Sequence, residues 1–183
     1  MTYCTHLPAK LIPDPSDADA VHQQTMALFT SATLPGEPGA RRAGANILWR
    51  AEHTGVLVVS DIEPTDVPEP ATVWTRDSRI PVATGDEVEF IATVDAVTRV
   101  RGRTRLVDDI PAWFQRKVGD AFTVTRLRSI TASRAHRRGA ALEPVTIVGT
   151  GRVVNGDQVN RYRREGVGRS KAFGCGLMEV FTA

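Results

Sequence analysis

The hydrophobic positions in the first half of the chain predict a strand, a helix and a hairpin. Residues 2–12 are rich in apolar and β-branched side chains and are followed by two prolines, which favours a strand that ends there. Hydrophobic residues then recur at helical spacing over 21–29. Ser16, with Asp19 three places further on, gives a capping-box pattern for the start of that helix. Two short apolar runs within 47–60 flank a turn and predict a hairpin.

The second half alternates more clearly between strand and helix patterns. Apolar residues occupy every second position over 87–94 and so share one face of a strand. A helix with an apolar stripe is predicted between Asp109 and Gly119. The other predicted elements are strands over 122–130, 145–154 and 177–181, a basic helix over 157–165, and a polar, basic loop over 133–141. Gly149 and Gly151 indicate a bulge or a close backbone approach within their strand.

The order of these elements predicts the fold class. The first half reads β-α-β-β, and residues 63–71, with three prolines, are a connector with little regular structure. The second half reads β-α-β-β-α-β, which is the order of a ferredoxin-like fold. The first half resembles an incomplete copy of the second, although no residue-level repeat is visible. We therefore predict an α+β protein with two tandem ferredoxin-like domains, 1–85 and 86–183, of which the N-terminal one is degraded.

Charge is distributed unevenly along the chain, although the net charge is only +2. Residues 1–98 contain 6 Lys and Arg against 14 Asp and Glu, a net charge of −8. Residues 99–183 contain 17 against 7, a net charge of +10. A basic half dominated by arginine is typical of a protein that binds a polyanion, because the guanidinium fork donates two parallel hydrogen bonds to phosphate. A solvated surface of mixed charge is the other interpretation.

The chain carries no sign of export, membrane insertion or a structural metal site. It contains no apolar run long enough to cross a bilayer, and residues 1–10 lack the features of a signal peptide. We therefore expect a cytoplasmic protein. The two cysteines, Cys4 and Cys175, are expected to be free thiols in that reducing compartment. Two cysteines in unrelated contexts are also too few for a structural zinc site, and no metal is expected.

A glycine-rich segment near the C-terminus is the strongest local motif. Four glycines occur within eleven residues, and a chain of this kind can approach a ligand backbone closely or form an anion-binding nest. A Rossmann fingerprint and a nucleotide P-loop do not fit the order of elements or the spacing. The other interpretation is a glycine-capped helix end that leads into a tight turn. The residues of the segment expected to bind a phosphate-rich ligand are Gly166, Gly168, Arg169, Ser170, Lys171, Gly174 and Gly176.

This segment also carries a resemblance to a known family. The pattern G-x-G-x-x-K-x-x-G-x-G-L over 166–177 resembles the signature loop of the repeat-associated RAMP proteins. Segments 21–29, 47–52 and 112–119 resemble, in register across nearly the whole chain, the CasE family, which is the repeat-processing endoribonuclease of type I-E CRISPR systems. The fold that the resemblance implies, two ferredoxin-like (RRM-like) domains in tandem, agrees with the order of elements.

His22, in the first predicted helix, is the candidate catalytic residue. It lies at the edge of the apolar stripe beside Met26 and Phe29, and histidine titrates near neutral pH. From the residues alone, a half-buried structural histidine is the other interpretation. The resemblance implies that this position holds the catalytic histidine of the family. RNA supplies its own nucleophile, the 2′-OH, so this chemistry requires neither a metal nor a cofactor.

Two further residues are candidates to assist His22. Members of the family commonly carry a tyrosine three residues before the histidine, and Asp19 occupies that position here. Asp19 is interpreted either as a cap of the helix or, as a hypothesis, as a carboxylate that keeps His22 protonated. Lys171, within the glycine-rich segment, is the second candidate.

The basic half of the chain is expected to bind RNA. Four arginines alternate with other residues over 99–105, and in one extended segment all four would point the same way. A charged edge strand that prevents aggregation is the other interpretation. Further basic residues lie in the loop at Arg134, Arg137 and Arg138. Besides the glycine-rich segment, the expected RNA-binding residues are Arg99, Arg101, Arg103, Arg105, Arg116, Lys117, Arg126 and Arg128.

The resemblance implies the partners and the products. The expected ligand is CRISPR repeat RNA, both the precursor and the mature crRNA hairpin. Cleavage at the base of the hairpin would leave a 5′-OH and a 2′,3′-cyclic phosphate. The protein would then remain bound within the Cascade complex with other Cascade subunits, and it would be a monomer when free. Two other functions remain open, which are a non-cleaving RNA-binding RAMP subunit and a protein whose basic half binds an acidic protein.

Overall fold

The N-terminal part of the protein forms a four-stranded antiparallel sheet with one long helix. The computed structural model describes residues 1–37, 40–100, 103–138 and 140–182. The elements of this part are β1 (Thr2–Pro8), α1 (Ala18–Ala27), the one-turn helix α2 (Arg41–Gly44), β2 (Leu48–Glu52), β3 (Gly55–Ser60) and β4 (Thr72–Arg76). The strands are ordered β2-β3-β1-β4. Residues 61–71, between β3 and β4, contain no helix, so this ferredoxin-like unit lacks its second helix, and the predicted degradation is confirmed.

The start of α1 differs from the prediction. Its N-cap is Asp17, whose carboxylate accepts hydrogen bonds from the backbone N–H groups of Asp19 and Ala20 at 3.1 and 3.0 Å. The predicted cap, Ser16, instead donates its hydroxyl to Asp14 at 2.6 Å. The prediction was wrong because Asp14, Ser16 and Asp17, all able to cap a helix, lie close together in the sequence. The cap is Asp17, whose carboxylate reaches the free N–H groups at the start of the helix. The predicted strand over 2–12 ends early at Pro8, where a 3-10 helix (Ala9–Leu11) begins.

The C-terminal part forms a complete ferredoxin-like unit with two added hairpins. Its sheet is antiparallel and ordered β12-β5-β11-β8. Its elements are β5 (Glu87–Val94), β6 (Val97–Val100), β7 (Arg103–Leu106), α3 (Ile110–Val118), β8 (Phe122–Ala132), β9 (Ala135–Arg137), β10 (Ala140–Leu142), β11 (Val145–Val153), α4 (Gly156–Glu165), a 3-10 helix (Lys171–Phe173) and β12 (Met178–Thr182). The predicted tandem ferredoxin-like architecture is therefore confirmed. The predicted domain boundary at residue 85 lies between the end of β4 and the start of β5.

Several elements of this part follow the sequence pattern closely. β5 has the predicted bounds, and α3 is capped by Asp109, whose carboxylate accepts from the backbone N–H of Ala112 at 2.9 Å. β11 changes register against β8 at Gly149 and again at Gly151, as the glycines predicted. A Cβ at Gly149 would lie 2.4 Å from the carbonyl oxygen of Arg126, so the close backbone approach is confirmed.

Other segments depart from the prediction. Residues 133–141, predicted as a loop, include the short hairpin β9–β10, and β4 was not predicted at all. The β9–β10 hairpin is too polar and basic to show an alternating apolar pattern, and β4 is too short to show one. Both form strands because a neighbouring segment supplies hydrogen-bond partners, as β1 does for β4.

Apolar and charged contacts join the two sheets. The C-terminal core centres on Phe90, Phe114 and Phe122, and a separate cluster packs Leu177 of the C-terminal part among Leu48 and other residues of the N-terminal sheet.

The expected free thiols are confirmed, since the buried Cys4 and Cys175 form no disulfide. None of the helices in the described residues has the length and apolar character that a bilayer crossing requires.

Candidate active site

His22 lies on α1, half-buried, where α1 meets the 3-10 helix within the glycine-rich segment. Its ring centroid is 6.0 Å from that of Phe173, and the two rings are tilted by 52°. Nδ1 of His22 is buried and has no hydrogen-bond partner within the described residues. α1 holds the ring in place because Val21 and Thr25, next to it on the helix, are fully buried.

The surroundings of His22 favour its neutral form. Burial is the main cause that lowers the pKa of His22 below its ordinary value of 6.5, and the positive charge of Arg42 acts in the same direction. The negative charge of Asp19 opposes both effects but does not outweigh them. A histidine of this kind is neutral at pH 7 and is able to accept a proton.

Two further cations belong to this region, and the charge of one of them, Arg42, acts on His22. Arg42, on α2, donates to the carbonyl oxygen of Ile47 at 2.8 Å. Lys171, on the 3-10 helix, donates from Nζ to the carbonyl oxygen of Glu165 at 2.6 Å. Burial, followed by the charge of Arg42, lowers the pKa of Lys171. Arg42 therefore acts electrostatically on both His22 and Lys171, and the two cations give this region a positive charge that suits a phosphate.

Asp19 docks the β9–β10 hairpin onto the start of α1. Its carboxylate accepts the backbone N–H of Arg138 at 2.5 Å. Next to it, the backbone N–H of His136 donates to the carbonyl oxygen of Ser16 at 2.8 Å, and the His136 ring lies 3.8 Å from the carboxylate of Asp17. The N-terminal end of α1 thus holds the basic hairpin beside His22. Asp19 is not the cap itself, but its N–H is one of the two that the cap residue binds.

Arg137 extends the site from this hairpin. Its guanidinium carbon lies 4.3 Å from the centroid of the Phe173 ring, which also contacts His22. A cavity of about 460 Å³ adjoins Arg137 between the two added hairpins and the glycine-rich segment. Its polar lining includes Asp95, Thr104, Arg105, Arg137, Arg169 and Ser170. Three arginines from separate parts of the sequence therefore converge on one cavity.

The glycines of the glycine-rich segment serve packing more than ligand approach. Gly166 ends α4 with φ 76°, and a Cβ there would lie 2.6 Å from the carbonyl oxygen of Gly176. A Cβ at Gly174 would lie 2.5 Å from the Trp49 ring. At Gly168, with φ 78°, a Cβ would meet no atom within 4 Å. The close approach of a ligand backbone is thus available at Gly168, whereas Gly166 and Gly174 allow the chain to fold against itself.

The alternating arginines over 99–105 do not form one extended strand. Arg101 lies outside the described residues, as do the side chains of Arg99 and Arg103. β6 and β7 pair as an antiparallel hairpin, with Arg99 opposite Thr104. The prediction of a single ribbon was wrong because the segment folds back and satisfies its backbone groups across the hairpin, so that alternation along one strand does not apply.

The other predicted RNA-binding residues lie on different elements from His22. Arg116 and Lys117 are on the last turn of α3, where Nζ of Lys117 lies 5.8 Å from the Trp113 ring centroid. Arg126 and Arg128 are on β8, and Arg128 forms an ion pair with Glu89 across the sheet. The His22 surface is formed instead by α1, α2, the 3-10 helix and β9.

Arg42, Phe173 and Asp95 belong to the site but were not predicted. Arg42 lies outside every predicted element, and Phe173 is one apolar residue among glycines. The Asp95 carboxylate accepts hydrogen bonds from Arg169 and Ser170, which are more than 70 residues away in sequence. No local pattern identifies such residues, because their role depends on contacts that only the folded chain creates.

Comparison with known proteins gives the family. A model described as CRISPR associated protein matches residues 8–181, which is nearly the whole chain. The chain belongs to this family of CRISPR-associated proteins. No curated protein matches the sequence significantly.

Solved structures show that this CRISPR-associated protein has the fold of Cse3 and Cas6e. It is similar to the CRISPR endoribonuclease Cse3 bound to 19-nucleotide RNA, with TM-score 0.77 and 20% identity over 99% of this chain and 100% of that chain. Cas6e from Escherichia coli K-12 gives TM-score 0.71 and 18% identity over the full length of both chains. A chain of E. coli Cascade bound to a PAM-containing double-stranded DNA target gives TM-score 0.60 and 18% identity, covering 98% of this chain and 99% of that chain. The chain is thus a CRISPR-associated protein, and the fold that the resemblance to the CasE family implied is confirmed.

Proposed function

We propose that this protein is an endoribonuclease that cuts CRISPR precursor RNA at the base of the repeat hairpin and retains the mature crRNA hairpin. One observation carries the proposal, which is that the half-buried His22, whose pKa is lowered mainly by burial, packs against Phe173 of the 3-10 helix that also carries Lys171. That arrangement provides a proton acceptor next to a phosphate-binding surface. Membership of the CRISPR-associated family and the fold of Cse3, which was solved bound to RNA, support the choice of substrate.

The cleavage step follows from the chemistry of RNA. The 2′-OH at the cut site loses its proton to His22 as O2′ attacks the phosphorus, and the bond from phosphorus to the 5′-oxygen breaks. The 5′-oxygen takes up a proton, leaving a 5′-OH and a 2′,3′-cyclic phosphate. Nδ1 is buried, so we assign the proton transfer to Nε2. Arg42 and Lys171 stabilise the charge that develops on the phosphate, and Lys171 is the candidate to protonate the leaving oxygen.

The basic C-terminal half is proposed to hold the hairpin. Stems of A-form RNA are recognised mainly through shape and phosphates, and unpaired bases carry sequence recognition. Arg105, Arg137 and Arg169 around the 460 Å³ cavity provide such phosphate contacts close to His22. The similarity to a chain of Cascade supports other Cascade subunits as partners. The predicted contacts of Arg116, Lys117, Arg126 and Arg128 with RNA remain part of this proposal.

The proposed reaction is tested with the host's repeat RNA in EDTA, with and without a 2′-deoxy sugar at the cut site. We expect the normal hairpin to be cut to completion in single-turnover conditions, because the nucleophile is the RNA's own hydroxyl. The 2′-deoxy hairpin should remain intact while binding with similar affinity. Cleavage of the 2′-deoxy substrate, or cleavage that requires added divalent ions, would contradict the mechanism.

A non-cleaving RNA-binding subunit is the second candidate function. The observation that favours it is that Asp19 stands where the family commonly has tyrosine, and that its carboxylate is engaged by the backbone of Arg138. Such a protein would bind the repeat hairpin but leave it intact in the same experiment. An uncut normal hairpin, with binding retained, would establish this alternative.

Binding of the hairpin is expected to weaken steeply with salt. If the basic half neutralises six to ten phosphates, the affinity should fall about 10³- to 10⁵-fold between 50 and 200 mM salt, because binding releases condensed counterions. Filter binding of the 2′-deoxy hairpin measures this without cleavage. A nearly flat dependence on salt would instead favour an acidic protein as the partner of the basic half.

A further inference from the structure

The buried carboxylate of Asp95 is hydrogen-bonded to the glycine-rich segment. Asp95 directly follows β5, and its side chain is only 4% exposed. One of its oxygens, Oδ2, accepts from the Ser170 hydroxyl at 2.6 Å and from Nε of Arg169 at 2.9 Å. A buried charge is tolerated only when it is paired and hydrogen-bonded, and both partners of Asp95 come from the glycine-rich segment. The buried carboxylate therefore depends on this segment for both of its hydrogen-bond donors.

Ser170 adopts a backbone conformation that serine rarely adopts. Its φ and ψ are 58° and 28°, which is the left-handed helical region. Such a residue needs support from its surroundings, because its Cβ is crowded in this conformation. The bond to Asp95 supplies that support from the side chain. The backbone of Ser170 also stabilises the turn, because its carbonyl oxygen accepts a hydrogen bond from the backbone N–H of Phe173 at 2.9 Å.

The turn that begins at Ser170 leads into the 3-10 helix that packs against α1, the helix of His22. The 3-10 helix follows Ser170 immediately and holds Lys171 and Phe173. Phe173 stands with its ring 6.0 Å from that of His22, and Lys171 is bound to the carbonyl oxygen of Glu165. A change in the conformation of Ser170 would therefore move both residues relative to His22. Displacements of about 1 Å around reacting groups reduce rates by roughly 10²-fold.

We infer that Asp95 is a positioning residue for the reaction, which fixes the left-handed turn at Ser170 and thereby sets Lys171 and Phe173 against His22. Asp95 also orients Arg169, whose side chain is 56% exposed and lines the same cavity as Arg105 and Arg137. Although Asp95 lines this cavity, its side chain is only 4% exposed, so we assign its effect to the turn and not to a contact with RNA. The catalytic consequence rests on the proposed function, whereas the effect on the turn does not.

The test replaces Asp95 with asparagine, which keeps the size of the side chain but removes its charge. We expect single-turnover cleavage of the repeat hairpin to slow by about 10- to 100-fold. The affinity for the 2′-deoxy hairpin should change by less than about threefold, since the other phosphate contacts remain. The matched control is Asp120→Asn. In the wild type the Asp120 carboxylate accepts a hydrogen bond from the Tyr162 hydroxyl, away from this turn, so the Asp120→Asn variant should cleave at the wild-type rate.

A second substitution separates positioning from general damage. Glycine adopts the left-handed conformation without support, so Ser170→Gly in the Asp95→Asn background should restore most of the lost rate. A merely destabilised fold would not recover in this way. If Asp95→Asn cleaves at the wild-type rate, or if Ser170→Gly fails to restore any of the loss, the inference is overturned.

A measurement without RNA keeps the inference independent of the proposed reaction. The Phe173 ring current acts on the His22 ring, so the ring resonance of His22 in NMR spectra should shift in Asp95→Asn and return in the double variant. An unshifted resonance would overturn the inference even if the wild type cleaves no RNA. Failure of the wild type to cleave, with the resonance shifted as expected, would contradict only the proposed function.

Discussion

Replacing His22 with alanine is expected to slow cleavage of bound repeat RNA by about 10²- to 10⁴-fold, the usual contribution of a positioned proton acceptor. Binding should be retained, because the phosphate contacts of the basic half do not involve this ring. The measurement is single-turnover cleavage with enzyme in excess, together with filter binding of the 2′-deoxy hairpin. His53→Ala is the matched control, since His53 is exposed on the turn between β2 and β3 and should cleave at the wild-type rate.

The cleavage rate should depend on pH through the protonation of His22. Burial and Arg42 lower its pKa from 6.5, so the neutral, proton-accepting form dominates at pH 7. The cleavage rate should therefore rise with pH through this lowered pKa and reach half of its plateau value below pH 6.5. A rate that falls as pH rises through that range would assign His22 as a proton donor instead. Wild-type cleavage by His22→Ala would remove it from the mechanism.

Replacing Glu179 with alanine should cause the largest loss of stability. Glu179 lies on β12 of the C-terminal sheet, and its carboxylate binds Arg50 at 2.6 Å and Arg76 at 2.8 Å, both from the N-terminal sheet. The side chains of Glu179 and Arg50 are only 10% and 7% exposed. Without Glu179, Arg50 keeps only its pair with Glu52, whose side chain is 32% exposed, and Arg76 loses this partner. Breaking a buried pair in this way costs about 3–5 kcal/mol of unfolding free energy.

The positive charge around Glu179 strengthens this expectation. Arg163 is also buried there, and its pKa is lowered to about 10, mainly by burial and next by the charge of Arg76, while Glu179 acts in the opposite direction. Arg50, Arg76 and Arg163 each have one buried nitrogen without a partner in the described residues. The loss of Glu179 would leave three guanidinium groups with less compensation, so both sheets should be affected together.

Thermal unfolding measures this effect. At about 2–4 °C per kcal/mol for a chain of this size, Glu179→Ala should melt roughly 6–20 °C below the wild type. Glu89→Ala is the matched control, because Glu89 is also a strand residue paired with an arginine, but its pair with Arg128 is about half exposed. Exposed pairs contribute at most about 1 kcal/mol. Similar melting temperatures for the two variants would contradict a structural role for the buried pair.

Much of the fold could be predicted because its signals are local. β5 shows strict alternation, α3 lies between an aspartate cap and a glycine, and Gly149 marks the bulge that β11 requires. The placement of His22 on the first helix also followed from a periodic pattern, and its role came from the resemblance to a family. β4 and the β9–β10 hairpin have no such pattern and were missed or predicted as a loop.

The sequence by itself determined the element order, the charge asymmetry, the family and the helix that carries His22, because each depends on residues that are close together in the chain. Tertiary structure alone decided what surrounds His22. The contacts that do so join residues far apart, such as Asp19 with Arg138, Asp95 with Ser170, and the Trp49 indole with the carbonyl oxygen of Ala172. Local propensity contains no information about such pairs, since they form only when the two sheets and their added hairpins have packed together.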